Sequence, residues 1–242
     1  MRINIAKEMA VCVKQLGGVV LDEILDRPTF ANADYWFKCD EVVAELKCLT
    51  EDLSSKSEFN ASVASMHASW VKRGLVPPPM GHRVRLNLQE LPLKCAREFM
   101  EPIKKRIEAS TIKKANQQIK ETKKYFESPN AKGLLILVND GNYILPPNMM
   151  AHLLARILKG QHSSINSVIY FSVNEFSKVP GIPMPSLFWI DALIPDREPV
   201  GLEFRQTLHD EWMKHHSGLI PDHILEFKGS TEPEFIDNIQ FV

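Results

Sequence analysis

Five consecutive apolar residues, Leu134-Leu135-Ile136-Leu137-Val138, limit what this chain can fold into more than any other stretch. Strand side chains alternate between faces, so an unbroken apolar run of strand length must be covered on both sides. Gly133 precedes the run and Asn139-Asp140-Gly141-Asn142 ends it as a turn. A second apolar run spans Ile165 to Val173. Between the two, Pro146-Pro147-Asn148 opens a segment with Met149, Leu153, Ile157 and Leu158 at helical spacing. Strand, helix and strand predict an α/β fold, with a central mixed sheet flanked by helices.

The amino-terminal third adds elements of the same kind. Ile5, Met9, Cys12, Val13 and Leu16 recur at helical spacing over Asn4–Leu16, and Gly17-Gly18 stops the run. Val19 to Leu25 reads as a first strand, broken by Asp26-Arg27-Pro28-Thr29. The aromatic segment Ala33–Phe37 reads as a second strand, Lys38-Cys39-Asp40-Glu41 as a turn, and Val42–Leu49 as a third strand. Period-two alternation points Glu45 and Lys47 to one face, and Val42, Ala44, Leu46 and Cys48 to the other. An antiparallel hairpin would bring Asp34 alongside the Glu/Lys pair. Two carboxylates and an amine would then meet near the end of an apolar sheet, where burial is costly without partners. Mg²⁺, which takes hard oxygen ligands and keeps water and phosphate as others, would relieve that cost.

Asp34 followed by Glu45-Leu46-Lys47 resembles the signature of the PD-(D/E)XK nuclease superfamily, the restriction-endonuclease-like enzymes. The resemblance covers roughly the first 140 residues in element order, not in sequence identity. Ala33 stands where the signature has proline. The resemblance implies an αβββαβ core and a Mg²⁺- or Mn²⁺-dependent phosphodiester hydrolase acting on nucleic acid, in the first place DNA. It implies metal ligation by Asp34, Glu45 and the Leu46 carbonyl, with Lys47 as the catalytic amine. Glu8 matches the leading-helix glutamate that reaches the metal in many members. Lys114 and Gln118, at i and i+4 on the following helix, match by type and place the side chains that such a helix turns toward the site. Asp22 and Glu23 are rival acids. Each of these has a plainer reading as a solvated surface group.

The chain of 242 residues reads as one domain, with a core over about 1–175 and a C-terminal extension over 176–242. Ser57–Val71 has helical spacing, and Val76-Pro77-Pro78-Pro79-Met80-Gly81-His82-Arg83 forms a stiff connector. With Lys72, Arg73, Arg83 and Arg85 around it, that connector is either a clamp over a phosphodiester or a surface excursion. Leu93–Phe126 is a long helical region, with breaks expected near Pro102 or Ser110. Its cations, Lys104, Lys105, Arg106, Lys113, Lys114, Lys120, Lys123 and Lys124, far outnumber Glu108 and Glu121. A nucleic-acid stripe and a solvated face are both open readings. Further on, Phe188–Ala192 reads as an edge strand, Leu202–His216 as a helix and Glu232–Val242 as a closing strand. His209, His215 and His216 lack a zinc spacing and are expected at the surface. Cys12, Cys39, Cys48 and Cys95 form no CxxC pair and are expected as reduced thiols. Cys39 and Cys48 flank the motif and are expected as small buried thiols, with metal binding as the alternative.

A net charge of −1 advertises no polyanion partner, so any nucleic-acid contact must be local. No apolar run approaches membrane length, and Met1-Arg-Ile-Asn opens no secretory leader, so a cytoplasmic protein without a membrane partner is expected. A homodimer is an open assembly. The alternative to a nuclease is a catalytically silent, nuclease-like module that binds nucleic acid or a protein. A structural Glu45–Lys47 ion pair is the third reading.

Overall fold

The computed structural model describes residues 2–26, 28–79, 86, 90–144, 147–174, 176–178, 186–219 and 240–241. Asn4 starts the first helix, α1 (Ile5–Gln15), by accepting the Lys7 N–H on its side-chain oxygen at 3.2 Å. Gly17, at φ +74°, turns the chain out of it. The strand expected over Val19–Leu25 is cut short. Only Val19–Val20 pair, as β1, and Leu21–Ile24 wind into a single helical turn, α2. Two causes act together. Asp22 and Glu23 favour a helical first turn. The neighbouring strand β2 (Tyr35–Phe37) is only three residues long, so there is little to pair with.

Strand β2 turns back through Lys38–Glu41, with Glu41 at φ +52°, into the antiparallel strand β3 (Val42–Leu49). One 3₁₀ turn (Leu53–Ser55) leads to α3 (Ser57–Lys72). Arg83 and Arg85 of the connector that follows lie outside the described residues. The long helical region is α4 (Leu93–Ile107), a π-helical turn (Glu108–Ile112) and α5 (Lys113–Tyr125). Pro102 lies inside α4 and Ser110 inside the π turn, where its hydroxyl donates to the Arg106 carbonyl at 2.7 Å. The buried stripe Cys95, Phe99, Ile103, Ile107 recurs every fourth residue and drifts about 40° per step around an ideal helix. The wider π turn takes up part of that drift, and Ile112, Ala115 and Ile119 continue on the buried side.

The remaining elements are β4 (Lys132–Asn139), α6 (Pro147–Leu158), β5 (Ser167–Ser172), β6 (Ser177–Lys178), β7 (Trp189–Leu193), α7 (Leu202–Leu219) and β8 (Gln240–Phe241). Six strands form one mixed sheet in the order β1-β2-β3-β4-β5-β7. Strands β3, β4 and β5 run parallel, and the other pairs are antiparallel. The protein therefore has the α/β fold that its buried runs predict. β7 is the expected edge strand, and β6 pairs separately with β8. Of the closing strand expected over Glu232–Val242, residues 232–239 and 242 lie outside the described residues.

Helices α1 and α7 cover one face of the sheet over Phe37, Ala44, Leu46, Ile136 and Phe171. Helices α3 to α6 cover the other, over Trp36, Val43, Leu135, Leu137 and Tyr170. Segment 186–219 is thus built into the sheet and one helical layer. Among the described residues no helix is long and apolar enough to cross a membrane.

The histidines of α7 depart from the expected surface placement. His216 is fully buried, on the stripe of Arg205, Leu208 and Trp212, and His215 bonds Glu8 of α1 at 2.8 Å. All four cysteines are free; Cys12 and Cys95 are buried, but Cys39 and Cys48 are exposed, against expectation. Cys39 sits in the hairpin turn, and Cys48 near the end of β3 beyond the last residue that β2 covers.

Gly133 has no room for a side chain. A Cβ there would sit 1.9 Å from the Ser164 carbonyl oxygen and 2.8 Å from Ile119 Cγ2. Gly133→Ala should lower unfolding free energy by about 3 kcal/mol in urea titrations, since backbone cannot retreat as a flexible side chain can. Gly218→Ala, in α7 with nothing within 4 Å of the added carbon, should be neutral or stabilising. Equal effects at both positions would contradict this packing.

Candidate metal and active site

The β2–β3 register sets the geometry. Tyr35 faces Ala44 and Trp36 faces Val43, so the next step of the ladder brings Asp34 opposite Glu45. Both side chains lie on the face covered by α3–α6, because Trp36 and Val43 share their parity and pack there. β2 proper ends at Tyr35, so Asp34 meets β3 through side chains. Its N–H donates to Glu45 Oε2 at 3.1 Å, and its Oδ2 accepts the Leu46 N–H at 2.7 Å. A residue's N–H and C=O point to the same side of a strand, so the Leu46 carbonyl also faces the Asp34 edge. The Lys47 ammonium donates to Glu45 Oε1 in a short ion pair. The sequence expectation that Asp34 joins the Glu/Lys pair therefore matches the geometry.

Glu45 is 0% exposed, in the interior of the sheet, whereas the Lys47 side chain keeps 25% of its surface. Burial, then the Asp34 charge, push the Glu45 carboxyl up to about 8 against the opposing pull of Lys47. Burial likewise raises the Asp34 carboxyl above its ordinary range, opposed by the Leu46 N–H and Lys47. With both carboxyls ionised, the single ammonium leaves a surplus of negative charge. The donor set suits a hard divalent cation: two carboxylates and a backbone carbonyl, all oxygen. Among the described residues no three His, Cys, Asp or Glu side chains converge on one point. Mg²⁺ is commonly held by one or two carboxylates with water and phosphate oxygens, so a two-carboxylate set fits it.

No family model, curated protein or solved structure matches this chain. What can be said of the site comes from its residues alone.

Glu8 is not brought to the cluster. Helix α1 packs on the opposite face of the sheet, where Glu8 meets His215. Glu23 bonds Lys14 at 2.7 Å. Asp22 is nearer: it accepts from Asn32 Nδ2 at 2.8 Å, and its charge helps raise the Asp34 carboxyl. Lys114 is exposed on α5 and forms no hydrogen bond or ion pair with Asp34, Glu45 or Lys47. Gln118 points toward the hairpin, but its amide donates to the Asn32 carbonyl at 2.8 Å, not to a carboxylate.

Gln118 belongs to a clamp that inspection of the sequence misses. Glu121 accepts the Ala31 N–H at 2.7 Å, and Thr122 Oγ1 accepts the Ala33 N–H at 2.8 Å. Three α5 side chains thus hold three consecutive backbone units immediately before Asp34. Thr122 was legible as a buried position, being spaced three from Ile119 on the inner stripe. Nothing local distinguishes Gln118 and Glu121 from the solvated residues around them.

The pH dependence of stability follows from the Glu45 shift. The folded chain keeps the Glu45 proton up to about 8, whereas an unperturbed glutamate releases it near 4.5. Metal-free stability should be full below that lower value and fall as pH rises toward 8, by at most about 1.4 kcal/mol per pH unit for one proton. Denaturation midpoints measured in chelator from pH 5 to 8 should decline for the wild type and flatten in Glu45→Gln. Identical slopes in the two proteins would assign the titration to other groups.

Proposed function

We propose that this protein is a metal-dependent nuclease that hydrolyses nucleic-acid phosphodiester bonds, in the first place those of DNA, in the cytoplasm. The observation that carries the reading is the convergence of Asp34, Glu45 and Lys47 from adjoining strands into one hydrogen-bonded cluster. The element order supports it. A leading helix, two antiparallel strand pairings, a helical segment and a parallel strand follow the αβββαβ plan that the Asp…Glu-x-Lys resemblance implies.

In this reading Asp34, Glu45 and the Leu46 carbonyl would hold Mg²⁺ or Mn²⁺, which would supply Lewis acidity toward the phosphate and toward a water. Glu45 anchors the Lys47 ammonium, fixing a positive charge at the partly open side of the cluster. Lys47 orients the attacking water or stabilises the charge that builds on the phosphorus oxygens. Asp34 keeps its position because the Leu46 N–H holds one oxygen and the α5 clamp holds the preceding backbone.

One observation favours the silent module. Both oxygens of Glu45 already have donors, Lys47 and the Asp34 N–H, as a purely structural carboxylate would. Calorimetry with Mn²⁺ separates the two, since only the enzyme requires the metal.

Asp34→Asn, Glu45→Gln and Lys47→Ala should each lower Mg²⁺-dependent cleavage of plasmid and single-stranded DNA by at least about a hundredfold, with near-native circular dichroism. Cleavage at the wild-type rate by any of the three would remove that residue from the chemistry. Wild-type rates in all three would end the nuclease reading.

A further inference from the structure

Helix α5 carries Lys113, Lys114, Lys120, Lys123 and Lys124 against a single acid, Glu121, in a chain whose net charge is −1. Five lysines against one glutamate give this helix a local excess of positive charge. Glu121 is engaged by Gln117 and the Ala31 N–H, and none of the five lysines is ion-paired to a carboxylate among the described residues. Lys113, Lys120 and Lys124 lie within about 40° of one another around the helix and form its outermost ridge, about 16 Å long. All three are exposed.

The ridge ends at an open hollow of about 450 Å³ lined by Lys120, Lys123, Lys124, Glu127, Ser163 and Ser164. Lys123 is half-buried there and donates only to neutral acceptors, the Ser164 carbonyl at 3.1 Å and Asn166 Oδ1 at 3.4 Å. Burial, then the charge of Lys132, push its ammonium down to about 8, as expected of a cation lacking a counter-ion. Beside the same end of the helix, Tyr125 is 54% exposed; its ring stacks on Phe30 at 4.8 Å and meets Phe126 at right angles at 5.0 Å. Lys123 and Tyr125 flank the ridge on opposite sides of the helix, so a strand crossing Lys124 meets cations first and the ring after, the order single-stranded nucleic acid uses with phosphates on lysines and bases on rings.

We propose that α5 binds a single nucleic-acid strand, with backbone phosphates along Lys113, Lys120 and Lys124, one phosphate in the hollow against Lys123, and a base on the exposed part of the Tyr125 ring. This assignment rests on the nuclease reading for its biological sense, since the same helix clamps the backbone that leads into Asp34. It does not rest on that reading for its test.

The test measures binding without cleavage. Fluorescein-labelled single-stranded DNA is titrated with full-length protein in chelator, by anisotropy, across a range of salt. Lys120→Gln/Lys123→Gln/Lys124→Gln should weaken binding about tenfold or more and reduce the salt slope of log K by about two. Tyr125→Ala should weaken single-strand binding severalfold and leave duplex binding unchanged. Lys104→Gln/Lys105→Gln on α4, a charge change of similar size elsewhere, should stay within twofold of wild type. If the triple variant melts early, the exposed pair Lys120→Gln/Lys124→Gln supplies the same comparison with a salt slope reduced by about one and a half. The proposal is overturned if wild type binds no DNA, if the ridge and α4 variants behave alike, or if polyglutamate displaces the strand as well as unlabelled DNA does. Ridge-dependent binding without metal-dependent cleavage would sink the nuclease reading alone. Cleavage that requires Asp34 and Glu45, with binding untouched by the ridge variants, would sink this proposal alone.

Discussion

A carboxylate in the middle of an α/β sheet has to be answered by its surroundings, and Glu45 organises this protein on those terms. It lies on β3, a strand paired on both sides and covered on both faces, where an uncompensated charge would destabilise the fold strongly. Two protein groups answer it, the Lys47 ammonium and the Asp34 N–H. Asp34 brings a second carboxylate with it, so the same contacts that satisfy Glu45 renew the demand for positive charge. The cluster stays out of balance by construction. That imbalance links folding to chemistry: whatever neutralises it, a proton or a divalent cation, stabilises the site.

The rest of the architecture holds that cluster in place. The apolar run of β4 pairs with β3 along its full length and fixes Glu45 and Lys47 from one side. The hairpin fixes them from the other only as far as Tyr35, and beyond that point side-chain hydrogen bonds replace the ladder. Helices α3 to α6 close the face on which the cluster lies, and α1 and α7 close the opposite face. The division between faces explains why Glu8 serves α7, through His215, and not the cluster.

What could be read from residue order follows a physical line. Alternation within a strand is a local property, so Glu45 and Lys47 were legible as a pair and Asp34 as their neighbour once the turn at Lys38–Glu41 was recognised. The continuous apolar runs made the covered sheet legible for the same reason. Placement of helices over sheets depends on contacts far apart in sequence, and there the reading thinned. Glu8 and Gln118 have suitable residue types at suitable positions, yet one faces the wrong layer and the other spends its amide on backbone. His216 could have been foreseen as buried, since Leu208, Trp212 and His216 repeat every fourth residue. The shortening of the first strand had no local sign beyond Asp22-Glu23, because it reflects the length of its partner.

The clamp from α5 onto Ala31, Asn32 and Ala33 has a mechanical corollary. Glu45 is anchored to the sheet through β4, while Asp34 is tethered to a helix in the layer above. Asp34 is nonetheless bonded to β3 as well, through Glu45 and the Leu46 N–H, so helix and strand hold it from two sides. Loss of the Thr122 hydroxyl would remove one of those holds without touching either acid.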